Sequence, residues 1–222
     1  MKDGVLYKSN PDVYSVVTYA LAQMNNAARA ESLKILCADL LRYGSTAQLY
    51  KSYRTDALAD SAMTDVHRAY LSDGENVSFD SYNSTNNDIT NPTVTFAGKS
   101  LLLDSKVTLR YVANLSAYTG SSSDLSLVVN YTALDGTAKT VTLTNIEVYN
   151  EAAKLYCFDF DGLLAAELRQ PVTVAVYKGT TRLSPTLTYS ASTYGNNKYD
   201  PLLTLCKHLM AYSDSAKAYF QG

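Results

Sequence analysis

Residues common in enzyme centres are scarce in this 222-residue chain: there are two histidines, three cysteines and no tryptophan. No CxxC or Cys/His spacing suits zinc, and no glycine-rich phosphate loop, GxSxG, HExxH or EF-hand pattern occurs. We therefore predict no catalytic residue, no metal site and no cofactor. The cysteines are interpreted as structural thiols.

Charged residues and long apolar runs are also scarce. Charged residues make up 18% of the chain, and the formal net charge is -2. Without a basic excess, nucleic acid is not an expected partner. No apolar run approaches the ~18–20 residues that span a bilayer, so no membrane partner is predicted. The polar start, Met1-Lys-Asp-Gly, predicts no signal peptide there, but in a chain that opens inside a repeat tail this says little about compartment.

What the chain does have is an internal repeat. The segment 36–50, LCADLLRYGSTAQLY, returns as 205–219, LCKHLMAYSDSAKAY, without a gap. A second echo precedes each copy, as YSVVTY at 14–19 and YSASTY at 189–194. Two blocks repeated in the same order indicate the tail of one module followed by a complete second module. We predict a boundary between 1–74 and 75–222, in a piece of a longer protein.

Each copy of the repeat has the apolar spacing of an amphipathic helix. The stripes recur at steps of three and four, as expected for a face that packs inward. They comprise Leu33, Leu36, Leu40, Tyr43, Ala47 and Tyr50 in the first copy, and Leu202, Leu205, Leu209, Tyr212, Ala216 and Tyr219 in the second. We predict helices at about 16–26, 30–53 and 65–71, the last in a link between modules. The closing helix is expected to have Asp200 as its N-cap.

From Val77 onward the apolar pattern alternates, which is typical of strands. Short strands separated by turns favour an α+β fold, an antiparallel β-sandwich with packed helices. The clearest hairpin surrounds Asp135-Gly136. A short extended piece is also expected near Val5. The predicted strands are 77–82, 93–97, 100–103, 106–113, 125–133, 138–145, 153–160, 171–178 and 182–190, with a helical turn at 163–168.

Tyrosine is abundant, with 19 residues. Tyr82 and Tyr118 lie in polar loops rich in Ser, Asn or Gly, where no strand pattern buries them. Exposed rings beside amide and hydroxyl groups suit the apolar face and the hydroxyls of a sugar. We predict these two as candidate ligand-binding residues. Loop tyrosines without a ligand are also common, so a plain adhesive or spacer surface is the alternative.

Acidic residues offer a rival hypothesis. Asp159 and Asp161 alternate onto one face of a predicted strand, near Glu167, and a carboxylate pair could serve glycoside hydrolysis or hold Ca²⁺. A solvated strand face that ends in an Asp-Gly turn is the simpler interpretation. His67 is expected to be solvated. His208 is two residues from Cys206 on a helix, so the pair points to different faces and is unsuited to nucleophilic catalysis.

Several segments together resemble a module of large secreted proteins from anaerobic Gram-positive bacteria of gut and rumen. These segments are VTFAGKSLLLDSKVTLRYV, YCFDFDGLLAAELRQPVTVAVY, YSASTY and LCKHLMAYSDSAKAYF. Tails of the form LxxLLxYGxAAQxYFxY recur in that family, and LLRYGSTAQLYKSYRTDALA is the closer match here; Ser213 replaces the Gly in the second copy.

The resemblance implies an extracellular or cell-wall-associated multimodular protein, with carbohydrate-active, adhesive or dockerin modules in some members. It supplies no catalytic or ligand residues. From the sequence we therefore expect a non-catalytic module for adhesion, spacing or carbohydrate binding, with a polysaccharide, a cell-surface partner or neighbouring modules as partners. The alternative is a glycan-active enzyme that uses acidic residues.

Overall fold

The computed structural model describes residues 15–104 and 106–222, so the extended piece expected near Val5 lies outside the described residues. The chain divides into two compact units, Met1–Ser72 and Asp73–Gly222. Helices and two antiparallel sheets together give the α+β, sandwich-like fold predicted from the sequence.

From residue 15 onward, the first unit contains three helices. They are α1 (Val16–Asn25), α2 (Glu31–Lys51) and the short α3 (Asp65–Arg68). A small core forms between α1, α2 and the segment that follows α2, with Ala20, Met24, Cys37, Leu41 and Met63 buried. Residues 54–72 do not form an open link. The Gln48 side chain donates to the carbonyl oxygen of Ala57 (3.0 Å) and accepts from the Ala59 amide (2.7 Å), which folds this segment back onto α2.

The second unit contains two antiparallel sheets. The strands are β1 (Asn83–Asn86), β2 (Thr95–Leu103), β3 (Val107–Asn114), β4 (Leu125–Thr132), β5 (Ala138–Leu143), β6 (Glu147–Asn150), β7 (Leu155–Phe160), β8 (Val172–Lys178), β9 (Thr181–Arg182) and β10 (Thr186–Tyr189). One sheet has the order β1-β10-β8-β4-β5, with β9 paired to β8, and the other has the order β2-β3-β7-β6. The hairpin expected at Asp135-Gly136 joins β4 to β5, with Gly136 at φ 82°.

Buried residues alternate along the central strands. On β4, Leu125, Leu127 and Val129 are buried, with less buried residues between them. Because successive side chains point to opposite faces of a strand, this period places one face of the sheet in the core. On β3 and β7, Tyr111 and Phe158 are fully buried across the β3–β7 pairing.

Three strand predictions were wrong in detail. Residues 77–82 form no strand, because their backbone bonds go to side chains: the Asp80 amide donates to Ser192 Oγ (3.0 Å) and Asn196 Nδ2 donates to the Asp80 carbonyl oxygen (2.7 Å). The strands expected on either side of Gly98 are one strand with a β-bulge. The strand expected at 182–190 is two strands. Between them, the Ser184 hydroxyl accepts from the Val176 amide (2.8 Å) and donates to the Pro185 carbonyl oxygen (2.9 Å).

Two strands were missed, β1 and β6. Each is four residues long, and all four of its side chains are exposed. β1 lies at an edge of the six-stranded sheet and β6 at an edge of the four-stranded sheet. A short edge strand with no buried face leaves no alternating apolar pattern in the sequence.

The closing helix, α4 (Leu202–Gln221), packs against the 3₁₀ helices Ala165–Glu167 and Ser192–Gly195 of the sandwich unit. Its N-cap is Pro201, one residue later than expected. The Asp200 carboxylate nevertheless accepts from the Thr204 amide (3.2 Å) and hydroxyl (2.6 Å), so it supplies the bond that a capping side chain supplies.

The two copies of the repeat share local structure. Both long segments are helical, and Cys37 and Cys206 are buried at 4% and 2% exposure. In the shorter echo, Ser15 Oγ accepts from the amide of Thr18 (3.1 Å), and Ser190 Oγ accepts from the amide of Thr193 (3.1 Å). The same Ser-x-x-Thr bond therefore starts a helical turn in each copy, α1 in one and a 3₁₀ helix in the other.

Candidate functional site

Tyr82 lies just before β1, at one edge of the six-stranded sheet. Its side chain is 43% exposed, and its carbonyl oxygen accepts a bond from the hydroxyl of Thr193 (3.1 Å). That bond fixes the backbone at Tyr82 while leaving much of the ring open to solvent.

Tyr118 lies in the connection from β3 to β4, and its environment is different. The side chain is half-buried and folds over Gly120, where an added Cβ would collide with the tyrosine hydroxyl. The Asp124 carboxylate and, after it, the Tyr118 hydroxyl raise the pKa of Lys178. The ring is thus packed within its own loop on one side.

The structure does not bring the two tyrosines together. Tyr82 adjoins the edge where β1, β10 and the first residue of β8, Val172, are paired. Tyr118 is beside Lys178, the last residue of β8. The six steps between those positions span roughly 20 Å of strand. Any ligand contact at one tyrosine is therefore separate from contacts at the other.

A polar recess lies next to Tyr82, and we call it the edge recess. Its volume is about 620 Å³. Its lining residues come from the segment before β1, from β1, β2 and β10, and from the segment after β10. The lining residues are Ser81, Asn83, Lys99, Tyr189, Thr193, Tyr194, Asn196, Asn197 and Lys198. Because β1 and β2 are edge strands of their respective sheets, the recess lies where both sheets end.

The Ser192–Gly195 3₁₀ helix positions one wall of the edge recess. Gly195 packs directly against the Phe79 ring, which would collide with a Cβ at this position. The Asn196 side chain bonds the Asp80 carbonyl oxygen on the same segment. These contacts hold residues 79–82 against the 3₁₀ helix without a β-ladder.

Two lysines and two tyrosine rings give the edge recess its chemical character. Lys198 Nζ lies 4.1 Å from the centroid of the Tyr194 ring, a cation–π distance. Lys99 enters from β2. Tyr189 is 4% exposed, and burial raises the pKa of its hydroxyl. Amide, hydroxyl and ammonium groups thus surround one half-buried ring.

Comparison with known proteins adds no relative. No family model, no curated protein and no solved structure matches this chain.

Of the two tyrosines predicted as ligand-binding residues, only Tyr82 lies near the edge recess, at its border. The ring of Tyr82 is not part of its lining, although its neighbours Ser81 and Asn83 are. The segment Asn196-Asn197-Lys198-Tyr199 was missed, and Tyr199 is 86% exposed. Its composition, a tyrosine among asparagines, is the same signal that selected Tyr82. The approach of Lys99 from the other sheet leaves no signal in the sequence.

The acidic pair is held by ion pairs. Asp159 lies opposite Arg110 in the β7–β3 register, and the two side chains form a bidentate pair at 2.6 and 2.8 Å. Lys106 bonds Asp161 at 2.6 Å. That hydrogen bond, more than any other contact, lowers the pKa of Asp161. A general acid needs the opposite shift, because it must be protonated when it acts.

Glu167, the third acidic residue of the rival hypothesis, is buried at 2% exposure. Its carboxylate accepts from the amides of Leu134 (2.7 Å) and Leu164 (2.9 Å). These bonds tie the β4–β5 turn to the 3₁₀ helix below α4. A second recess of about 880 Å³ opens there, near Lys139 and Phe220. The Glu167 carboxylate therefore stabilises the wall of this recess through its bonds to two backbone amides.

The histidine prediction needs one correction. His67 is buried at 5% exposure: its Nδ1 accepts from the Thr64 amide (3.2 Å), and its Nε2 lies 2.9 Å from Asn25 Oδ1. It links α3 to the end of α1, so it is a structural residue and is not solvated. The burial of His67 could not be predicted from the sequence, because a helix of four residues is too short to show a periodic apolar face.

In the part of the chain that the structure describes, no group of three or more His, Cys, Asp or Glu side chains is arranged to hold a metal ion. No helix in residues 15–104 and 106–222 has the length and apolar character to cross a bilayer. Burial raises the pKa of the Cys206 thiol to about 11, as expected for a packed cysteine.

Proposed function

We propose that this chain is a non-catalytic part of a secreted, multimodular bacterial surface protein, and that its sandwich unit binds polysaccharide at the edge recess. The observation that carries this proposal is the recess itself. Side-chain amides, hydroxyls and ammonium groups surround the half-buried Tyr194 ring at the open edge of both sheets.

The lining chemistry matches what a sugar presents. A pyranose ring has apolar C–H faces that pack on aromatic rings, and hydroxyls that exchange bonds with amides. Asn196 and Asn197 are exposed beside Tyr194, and Tyr82 and Tyr199 leave further rings open nearby. A polysaccharide has sugars on both sides of the one that occupies the recess, and exposed rings at its border suit those neighbours.

The low charge and the high Ser, Thr, Asn and Tyr content are typical of secreted bacterial β-modules. The resemblance to repeated modules of gut and rumen bacteria supports the same setting. On this proposal the repeated helix is a packing element that ends each module, and neighbouring modules of the parent protein are its partners in the chain.

The rival function, glycan cleavage by acidic residues, receives less support. Asp159 and Asp161 are each paired with a cation from β3 or the turn before it. A hydrolase would have to break one of these pairs to free a carboxylate for proton transfer. The non-catalytic reading requires no such change.

A glycan array on the purified chain tests the proposal, followed by mass analysis of the glycans that bind. We expect retention of at least one polysaccharide class with no loss of mass. Shortened glycans would favour the hydrolase. Failure to bind any polysaccharide in the array would overturn carbohydrate binding and leave an adhesive or spacer module.

Single alanine variants then locate the site. Tyr82→Ala and Tyr194→Ala should each weaken binding by about two- to tenfold, because an aromatic contact contributes roughly 0.5–1.5 kcal/mol. Tyr149→Ala is the matched control, since it is 55% exposed on β6 in the other sheet. Tyr118→Ala tests the second predicted residue: lost binding with unchanged melting temperature would place a contact in its loop.

A further inference from the structure

The geometry points to an acidic sugar as the ligand of the edge recess: we infer that it binds the carboxylate of a uronic acid residue within a polysaccharide. This inference rests on the proposed function, since it names the class of glycan that the same recess takes. Its basis is the positive charge of the lining residues, because binding of an uncharged glycan would not require that charge.

All formal charge in the lining is positive. Lys99 and Lys198 are both lining residues, and no Asp or Glu is among them. Within residues 15–104 and 106–222, neither lysine is in an ion pair with a carboxylate. On the same unit, Lys106, Lys178 and Lys207 do have such partners. Lys139, Lys154 and Lys217 also form no ion pair with a carboxylate, but only Lys99 and Lys198 among the described lysines line the edge recess. Their charge is therefore open to a ligand in that recess.

The acidic residues close to the recess in sequence are already engaged. The Asp80 carboxylate accepts from Arg169 (3.4 Å), and the Asp200 carboxylate accepts from Thr204. Both lie outside the lining. A ligand carboxylate would therefore meet two ammonium groups and no competing carboxylate, which lowers the cost of taking it out of water.

The lysines enter from different sheets. Lys99 is on β2 of the four-stranded sheet, whereas Lys198 follows the 3₁₀ helix after β10 of the six-stranded sheet. Both are half-buried, so their mobility is restricted compared with fully exposed lysines. A carboxylate bound in the recess would lie near both ammonium groups, while its sugar ring meets Tyr194 and the asparagine amides. Charge recognition and ring stacking thus use one site.

The decisive experiment compares two ligands that differ only in the carboxylate. Oligomers of polygalacturonate and of alginate are titrated against the full chain by calorimetry, each beside its carboxyl-reduced form. The reduced form keeps every hydroxyl of the ring and replaces the carboxylate by a primary alcohol. We expect at least one acidic oligomer to bind about tenfold or more tightly than its reduced form, as charged hydrogen bonds allow.

Variants tie that preference to the recess. Lys99→Met and Lys198→Met keep the length of the side chain and remove its charge, and each should weaken acidic binding by about fivefold or more. Lys198→Arg should retain most of it. Lys139→Met is the matched control. It removes one lysine from β5, at the edge of the six-stranded sheet opposite to β1. This variant should bind the acidic oligomers as tightly as the unsubstituted chain does.

Each other outcome overturns the inference, and the outcomes separate it from the proposed function. Equal binding of acidic and reduced oligomers would exclude charge recognition but keep glycan binding. Loss at Lys139→Met without loss at Lys99→Met would place the ligand in the other recess. Equal affinity for dextran sulfate would mean non-specific attraction of polyanions. If neither form binds and no glycan on the array is retained, both this inference and the proposed carbohydrate binding are overturned.

Discussion

Helices α2 and α4 contain the same motif but bury different parts of it. In α4, Leu205 and Leu209 of the predicted stripe are each 1% exposed. Their counterparts in α2, Leu36 and Leu40, are only half-buried. Burial in α2 is instead concentrated one position further along, at residues that include Cys37, Ala38 and Leu41.

The partners of the two helices explain this difference. α4 packs against two 3₁₀ helices of a β-sandwich, and its buried surface is wide enough to include both the stripe and the neighbouring Cys206 and Met210. α2 packs against α1 and the segment after α2, which cover a narrower face. A repeated motif thus specifies a helix with a buried cysteine, whereas the partner decides how much of the apolar stripe leaves water.

The largest expected effect tests that difference directly. Leu209→Ala should reduce the free energy of unfolding by about 2–5 kcal/mol, because it removes a fully buried side chain. Leu40→Ala, the equivalent change in α2, should cost about 1 kcal/mol, since that side chain is already half in water. Urea denaturation followed by circular dichroism measures both. A cost below about 0.5 kcal/mol for Leu209→Ala, or equal costs, would contradict the comparison.

The next effect concerns a polar position at which the copies differ. Asp39 of α2, where α4 has His208, is completely buried and accepts from Arg42 (2.7 Å) and from the Ser72 amide (3.2 Å). Asp39→Ala should cost about 2–4 kcal/mol, because it leaves a part-buried guanidinium and a backbone amide without their acceptor.

Thermal unfolding of Asp39→Ala should be compared with Asp56→Ala, an exposed aspartate of the same unit. The control should change stability by less than about 0.5 kcal/mol. If both variants unfold at the same temperature, Asp39 does not hold residue 72 against α2.

The smallest effect concerns an ion pair that only α4 has. Asp214 binds Arg169 in a bidentate pair, with Asp214 Oδ2 2.8 Å from Arg169 Nη2, whereas the equivalent residue of α2 is Ser45. Because Arg169 and Asp214 are 23% and 47% exposed, water screens the pair, and Asp214→Asn should cost at most about 1 kcal/mol.

Salt dependence distinguishes this electrostatic anchor from packing. The stability difference between Asp214→Asn and the unsubstituted chain should shrink when sodium chloride is raised to about 1 M, where the screening length falls to roughly 3 Å. A difference that is independent of salt would show that Asp214 acts through its shape and hydrogen bonds alone.

Periodic patterns predicted most of the fold. The helices α1, α2 and α4 and most central strands follow from spacing, because a half-buried element must repeat its apolar residues with its own geometric period. The errors occur where that condition fails. Residues 77–82 alternate like a strand but are satisfied by Ser192 and Asn196, and β6 has no buried face to generate a pattern.

The candidate site was less accessible to sequence reasoning. Tyr82 was selected because polar residues surround it, and it lies at the border of the edge recess. Lys99 and Lys198 are 99 positions apart by number, and nothing in the spacing of either residue indicates that they line one recess. Lys99 comes from β2 and Lys198 from the segment after β10, so only the folded arrangement of the two sheets places them in one recess.

By itself, then, the sequence determined the local elements and the repeat: where helices form, which strands alternate, and that Cys37 and Cys206 occupy equivalent buried positions. Tertiary structure decided which part of each repeated helix is buried, and it assembled the edge recess from two sheets. The physical reason is range. Periodicity and capping act between residues a few positions apart, whereas burial and convergent charge depend on partners that the chain brings together only when it folds.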